Sequence, residues 1–63
     1  MQSMVNNLIN GNLTDAKNQA RNVNIHTIKR YLQNAMGWSY AKSMAAASYL
    51  KTGEGFQEYC DAK

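Results

Sequence analysis

His26 and Cys60 are the only histidine and the only cysteine in the 63-residue chain. A thiolate nucleophile needs a histidine within hydrogen-bond reach and a third group that orients it. Both residues fall near the ends of expected helices. Cys60 sits on the apolar side of the last of them, so the sequence predicts a buried structural cysteine. His26 reads as a surface residue in the first turn of its helix. The four carboxylates, Asp15, Glu54, Glu58 and Asp61, form no local acid–base pair. Glu54 and Glu58 are one helical turn apart, the spacing of a solvated helix start. A structural zinc site wants about four Cys or His ligands, which the chain cannot supply. Gly53-Glu54-Gly55 lacks the following Lys-Ser/Thr and the preceding strand of a phosphate loop. The sequence therefore predicts no catalytic residue, no cofactor and no metal: a binding protein and not an enzyme.

The residues that carry recognition chemistry are basic. From Ala16 to Gly53 the chain holds six cations and no carboxylate: Lys17, Arg21, Lys29, Arg30, Lys42 and Lys51. From Glu54 onward the balance reverses, with Glu54, Glu58 and Asp61 set against Lys63. The net charge of +3 conceals this asymmetry. One reading is a basic patch for phosphate or for an acidic protein surface. The other is an ordinary solvated face, partly neutralised by an acidic C-terminal helix folded back on it. Trp38 also has two readings. It is a binding anchor, bringing large area at low entropy cost, or a plug at the end of the fold. Lys17, Arg21, Lys29, Arg30, Trp38 and Lys42 are the candidate partner-binding residues.

Five short helical faces must position these groups. Met1, Met4, Val5, Leu8 and Ile9 form the first, stopped by Asn10-Gly11-Asn12. Leu13, Ala16, Ala20 and Val23 form the second, with Asn12 or Thr14 as cap and Asp15 at the positive end of the helix dipole. Ile25, Ile28, Leu32, Ala35 and Met36 form the third, with Tyr31 alongside, Asn24 as cap and Gly37 at the left-handed C-terminal position. The fourth starts at Ser39 and stops at Thr52-Gly53. Its inner face is expected at Tyr40, Ala41, Met44, Ala45 and Tyr49, with Ser48 beside them and Leu50 at the edge. Ala41, Ala45 and Ser48 make a stripe of small residues on that face, with Ala46 and Ala47 beside them. The stripe implies close contact with the third helix, self-association being the alternative; the Ser48 hydroxyl can bond back to the Met44 carbonyl. Phe56, Tyr59 and Cys60 form the fifth. No period-two alternation competes. The fold class expected is all-α: one compact bundle of four to five short helices over residues 1–63.

Size and composition bound the rest. A chain this short buries only about 60% of its unfolded surface, too little to enclose a pocket of about 300 Å3. A lone cysteine excludes an intrachain disulfide and suits the cytoplasm. No apolar run reaches the ~20 residues of a membrane span, and the first residues lack the pattern of a secretory signal. The eight asparagines all lie at or before Asn34; because asparagine weakens helix interiors, the first half is expected to be the less stable.

Thr27-Ile28-Lys29-Arg30-Tyr31-Leu32, with Val23 before it, resembles the recognition helix of helix-turn-helix proteins. Two positions depart from that pattern: Asn18 and Arg21 stand where apolar residues belong, and Asn22 replaces the turn glycine. The resemblance implies a DNA-binding regulator using the helix around residues 25–36. A second resemblance covers more of the chain. Leu13-Thr14-Asp15-Ala16-Lys17, Gly37-Trp38-Ser39 with Ala41-Lys42, Tyr49-Leu50-Lys51-Thr52-Gly53, and Phe56-Gln57 with Cys60-Asp61-Ala62 resemble short uncharacterised proteins of bacteriophages and plasmids. That resemblance implies a mobile-element setting, in which tiny non-enzymatic proteins bind and inhibit host or defence complexes. The partner implied is a host protein or protein–nucleic acid complex, with DNA as the rival and no membrane.

Overall fold

The computed structural model describes residues 1–62; Lys63, counted above against the acidic stretch, lies outside them. Five helices and no strand occur among the described residues: α1 (Gln2–Ile9), α2 (Leu13–Ala20), α3 (Ile25–Ala35), α4 (Tyr40–Thr52) and α5 (Phe56–Asp61). The all-α bundle expected from the sequence is the fold observed.

Local chemistry sets the helix ends. Gly11 takes a φ of 84°, which a side chain would oppose. There the Asn12 N–H donates to the Asn7 carbonyl at 2.8 Å and the Gly11 N–H to Leu8 at 3.3 Å. This pair of bonds closes α1 as a Schellman motif and aims the chain straight into α2. Asn24 caps α3 by accepting from the His26 N–H at 2.8 Å, and Ser39 caps α4 by accepting from the Lys42 N–H at 3.1 Å. Asn12 occupies the cap position of α2, but its side chain makes no capping bond.

α4 is the centre of the packing. It contacts α2, α3 and α5, while α1 packs chiefly on α2. Met4, Val5 and Leu8 of α1, Ala16 and Ala20 of α2, and Ile28 and Leu32 of α3 meet Ala46, Ala47, Tyr49 and Leu50 of α4 in one core. Outside it, Gln19 ties α1 to α2: its amide oxygen accepts from Asn7 Nδ2 at 2.7 Å and its nitrogen donates to Ser3 Oγ at 2.9 Å.

The expected inner face of α4 holds at Tyr49, which is buried, and fails at Tyr40 and Ala41, while Met44 and Ala45 are only half-buried. The buried residues are Ser43, Ala46, Ala47, Tyr49 and Leu50, whereas Ala41 is exposed and Tyr40 is 61% exposed. Ser43, Ala46, Ala47 and Leu50 stand two positions along from Ala41, Met44, Ala45 and Ser48. At 3.6 residues per turn that is about 200° around the axis, the opposite side of the helix. The close contact with α3 is present, but a different stripe of small residues makes it. Smaller departures follow from helix ends outrunning their partners: Met1, Ile9 and Ala35 are exposed.

Cys60 is exposed, not buried. Helix α5 is six residues long and buries none of them fully. It meets α4 through Phe56, against Tyr49, and Tyr59, beneath Lys42, so its outward side is left to solvent.

Two stability measurements check this packing. Leu32 is fully buried, so Leu32→Ala is expected to cost about 2–5 kcal/mol in urea unfolding. The Ser43 side chain is also fully buried, and its hydroxyl has no hydrogen-bond partner. Removing an unsatisfied polar atom at nearly constant shape is favourable. Ser43→Ala is therefore expected to stabilise by about 1 kcal/mol, and a loss of that size would mean that the hydroxyl is bonded after all.

Candidate interaction surface

Four aromatic side chains form a continuous ladder that holds α5 against the bundle. Tyr49 on α4 lies 5.0 Å from Phe56 between ring centroids, Phe56 6.0 Å from Tyr59, and Tyr59 5.8 Å from Trp38 in the α3–α4 turn. All three contacts are tilted, between stacked and edge-to-face, with ring planes 53°, 49° and 38° apart in that order; aromatic pairs contribute ~0.5–1.5 kcal/mol beyond area burial. The turn itself is set by Gly37 at a φ of 68° and by the Trp38 N–H, which donates to the Leu32 carbonyl at 3.2 Å. Trp38 is thus held in place by the turn and by Tyr59, and is half-buried.

Lysines cover the ladder at both ends. Lys42 Nζ stands 4.3 Å from the centre of the Trp38 ring and 5.8 Å from that of Tyr59; Lys17 Nζ stands 5.4 Å from that of Tyr49. Next to the same turn, Lys29 Nζ lies 5.3 Å from the ring of Tyr40. A cation over an aromatic face gains about 0.5–1 kcal/mol where exposed. The lysines that look like free charge in the sequence are therefore placed by aromatic rings.

The six candidate partner-binding residues do not form one patch. Trp38 and Lys42 gather with Tyr59 at the α3–α4 turn, and Lys29 pairs with Tyr40 at the first residue of α4. Lys17 and Arg21 line a cleft of about 290 Å3 beside the end of α4, together with Lys51. Arg30 lines a different cleft, of about 510 Å3, between Met1 and the outer side of α3. Both clefts open to solvent. Sequence reasoning missed Tyr40 and Phe56 as surface groups, having assigned both to the interior with Tyr59, which does pack half-buried against the core. Tyr40 and Phe56 are exposed, Phe56 at 40%. For Tyr40 the available signal was its place at the first position of α4, two residues after Trp38; nothing local in the sequence marked Phe56.

Lys51 has a different task. Its Nζ donates to the carbonyls of Ala20 and Arg21, each at 3.0 Å. A cation there satisfies the last carbonyls of α2 and complements its negative end. The pairing of α2 with α3 also departs from a helix-turn-helix: α2 packs mainly on α1 and α4, so the two helices do not form a mutually packed unit. Exposed His26, Thr27, Arg30 and Asn34 nevertheless lie on the outer side of α3.

Among the described residues, no group of three or more His, Cys, Asp or Glu side chains could hold a metal ion, and no helix is long and apolar enough to cross a membrane. No protein-family model, curated protein or solved structure matches the chain.

Burial raises the Tyr59 phenol above its usual pKa of 10.0, and charge on the neighbouring Cys60 adds to the rise. The folded state therefore resists Tyr59 ionisation more than the unfolded state does. The associated stability is full below pH 10 and is lost as pH climbs from there toward the raised value. Thermal melts from neutral to strongly alkaline pH are expected to fall less steeply for Tyr59→Phe than for the unmodified chain. Equal slopes would show that Tyr59 is as freely solvated folded as unfolded.

Proposed function

We propose that this protein is a small non-catalytic binding module. It docks on an acidic surface of a larger macromolecule through the aromatic and lysine face at the α3–α4 turn and α5. The observation that carries this reading is the run of exposed Phe56 with half-buried Tyr59 and Trp38, topped by Lys42, beside which the chain carries a second cation–aromatic pair, Lys29 on exposed Tyr40, two residues after Trp38. Aromatic residues at a surface supply rigid contact area that releases water on binding, and they dominate the energetics of protein interfaces. The lysines around them steer an acidic partner into place, which affects encounter rate more than final affinity. In the phage or plasmid setting that the sequence resemblance implies, the partner is a host or defence complex in the cytoplasm, and docking inhibits it.

The exposed outer side of α3 favours one rival, DNA bound by Arg30 and its neighbours. Such binding would weaken steeply with salt as counterions are released, and Lys29→Glu with Arg30→Glu would abolish it.

One set of variants separates the readings. Tagged protein is used to recover partners from bacterial lysate, alongside Tyr40→Ala, Lys42→Glu and Arg30→Glu forms checked for helicity by circular dichroism. The expected result is one stoichiometric protein partner, lost with Tyr40→Ala, bound more slowly with Lys42→Glu and retained with Arg30→Glu. Recovery of no stoichiometric partner overturns the proposal. A mobility shift on duplex DNA that Arg30→Glu eliminates transfers the function to α3.

A further inference from the structure

We propose that the cleft between the ends of α2 and α4 binds a phosphate monoester. This inference stands apart from the docking face proposed above, none of whose residues line the cleft. Lys17 and Arg21 of α2 and Lys51 of α4 line the cleft, which measures about 290 Å3. Asn18, Thr52 and Gly53 complete the rim and Leu50, almost fully buried, lies beneath. No carboxylate lines it. Three cations therefore converge on a concavity where nothing of opposite sign competes. A phosphate monoester carries about −1.5 to −2 charge at pH 7 and three strong acceptor oxygens, which matches that set.

The C-terminal end of α2 would ordinarily repel an anion, because its last carbonyls carry partial negative charge. Lys51 removes that obstacle. Two of its N–H groups satisfy the Ala20 and Arg21 carbonyls, each at 3.0 Å. An ammonium has three N–H groups, so one remains for a ligand. Arg21 is exposed, and the fork of its guanidinium suits two oxygens of one phosphate. Lys17, one helical turn earlier, is held at the cleft wall by the Tyr49 ring 5.4 Å from its Nζ. The Asn18 amide adds a neutral donor. The volume admits a phosphate and the first atoms of its carrier, near the lower end of ligand pockets.

A nucleic-acid backbone is the poorer fit. It needs cations spaced along a track, whereas Lys29, Arg30 and Lys42 all lie outside this cleft.

The test is a 1H–15N correlation titration with O-phosphoserine and with inorganic phosphate, against chloride at matched ionic strength. Saturable shifts are expected, confined to the amides of Lys17 to Arg21 and Lys51 to Gly53. Arg21→Gln, a surface change that leaves the core alone, is expected to weaken binding about tenfold or more, the loss of a charge-assisted contact. Lys42→Gln should leave it unchanged. Shifts equal to those with chloride, or an Arg21→Gln form that binds as well, overturn the proposal. So does a short DNA duplex that binds more tightly than phosphoserine and moves the Lys29 and Arg30 signals, since the ligand is then a polynucleotide on a wider surface.

Discussion

The close approach of α3 to α4 is the constraint on which the other contacts depend. Ser43, Ala46 and Ala47 present almost no side-chain volume on the buried side of α4, so α3, whose Ile28 and Leu32 share the core with it, can pack closely on it. A single larger residue there would push the helices apart, and close-packed interiors do not absorb such a shift cheaply. Because α4 also carries α2 and α5, its position relative to α3 fixes where every lysine and aromatic side chain of the surface ends up. The unsatisfied Ser43 hydroxyl is a cost that the small volume does not require, since alanine is smaller still.

The aromatic ladder links packing to recognition. Helix α5 buries no residue fully, so its attachment rests on ring contacts running from Tyr49 to Trp38. The same rings are the apolar part of the surface proposed to meet a partner. A plug and an anchor are therefore not exclusive roles for Trp38: its inner side packs on Tyr59 and its outer side carries Lys42. Cation–aromatic contacts also limit how far the lysines can wander. A pre-positioned charge loses less side-chain entropy on binding than a free one does.

Lys51 shows how a charge that looks available in the sequence can be committed by tertiary structure. Thirty residues separate it from the Arg21 carbonyl that it caps. The bond closes α2 without help from a glycine and joins its end to α4. What remains of the central run of positive charge is divided among three places, the α3–α4 turn, the α2–α4 cleft and the outer side of α3. The field that the sequence suggests across helices two to four is a set of local sites.

The sequence by itself determined the class and the punctuation of this fold. Caps and glycines act through hydrogen bonds a few residues long, so Asn24, Ser39, Gly11, Gly37 and Gly53 could be placed correctly from local pattern alone. The apolar cores of α1, α2 and α3 were legible too, through Met4, Val5 and Leu8, Ala16 and Ala20, and Ile28 and Leu32, because each of these helices has one apolar side. Helix α4 has no net amphipathic direction. Its alanines, serines and tyrosines are distributed around the axis, and burial of so little apolar volume favours no rotation strongly. Only contact with Ile28 and Leu32 decided which small residues turned inward, and only that rotation decided that Tyr40 faces solvent. Cys60 followed the same rule: a six-residue helix anchored on one side by two rings has an outer side, and tertiary packing alone assigned the cysteine to it.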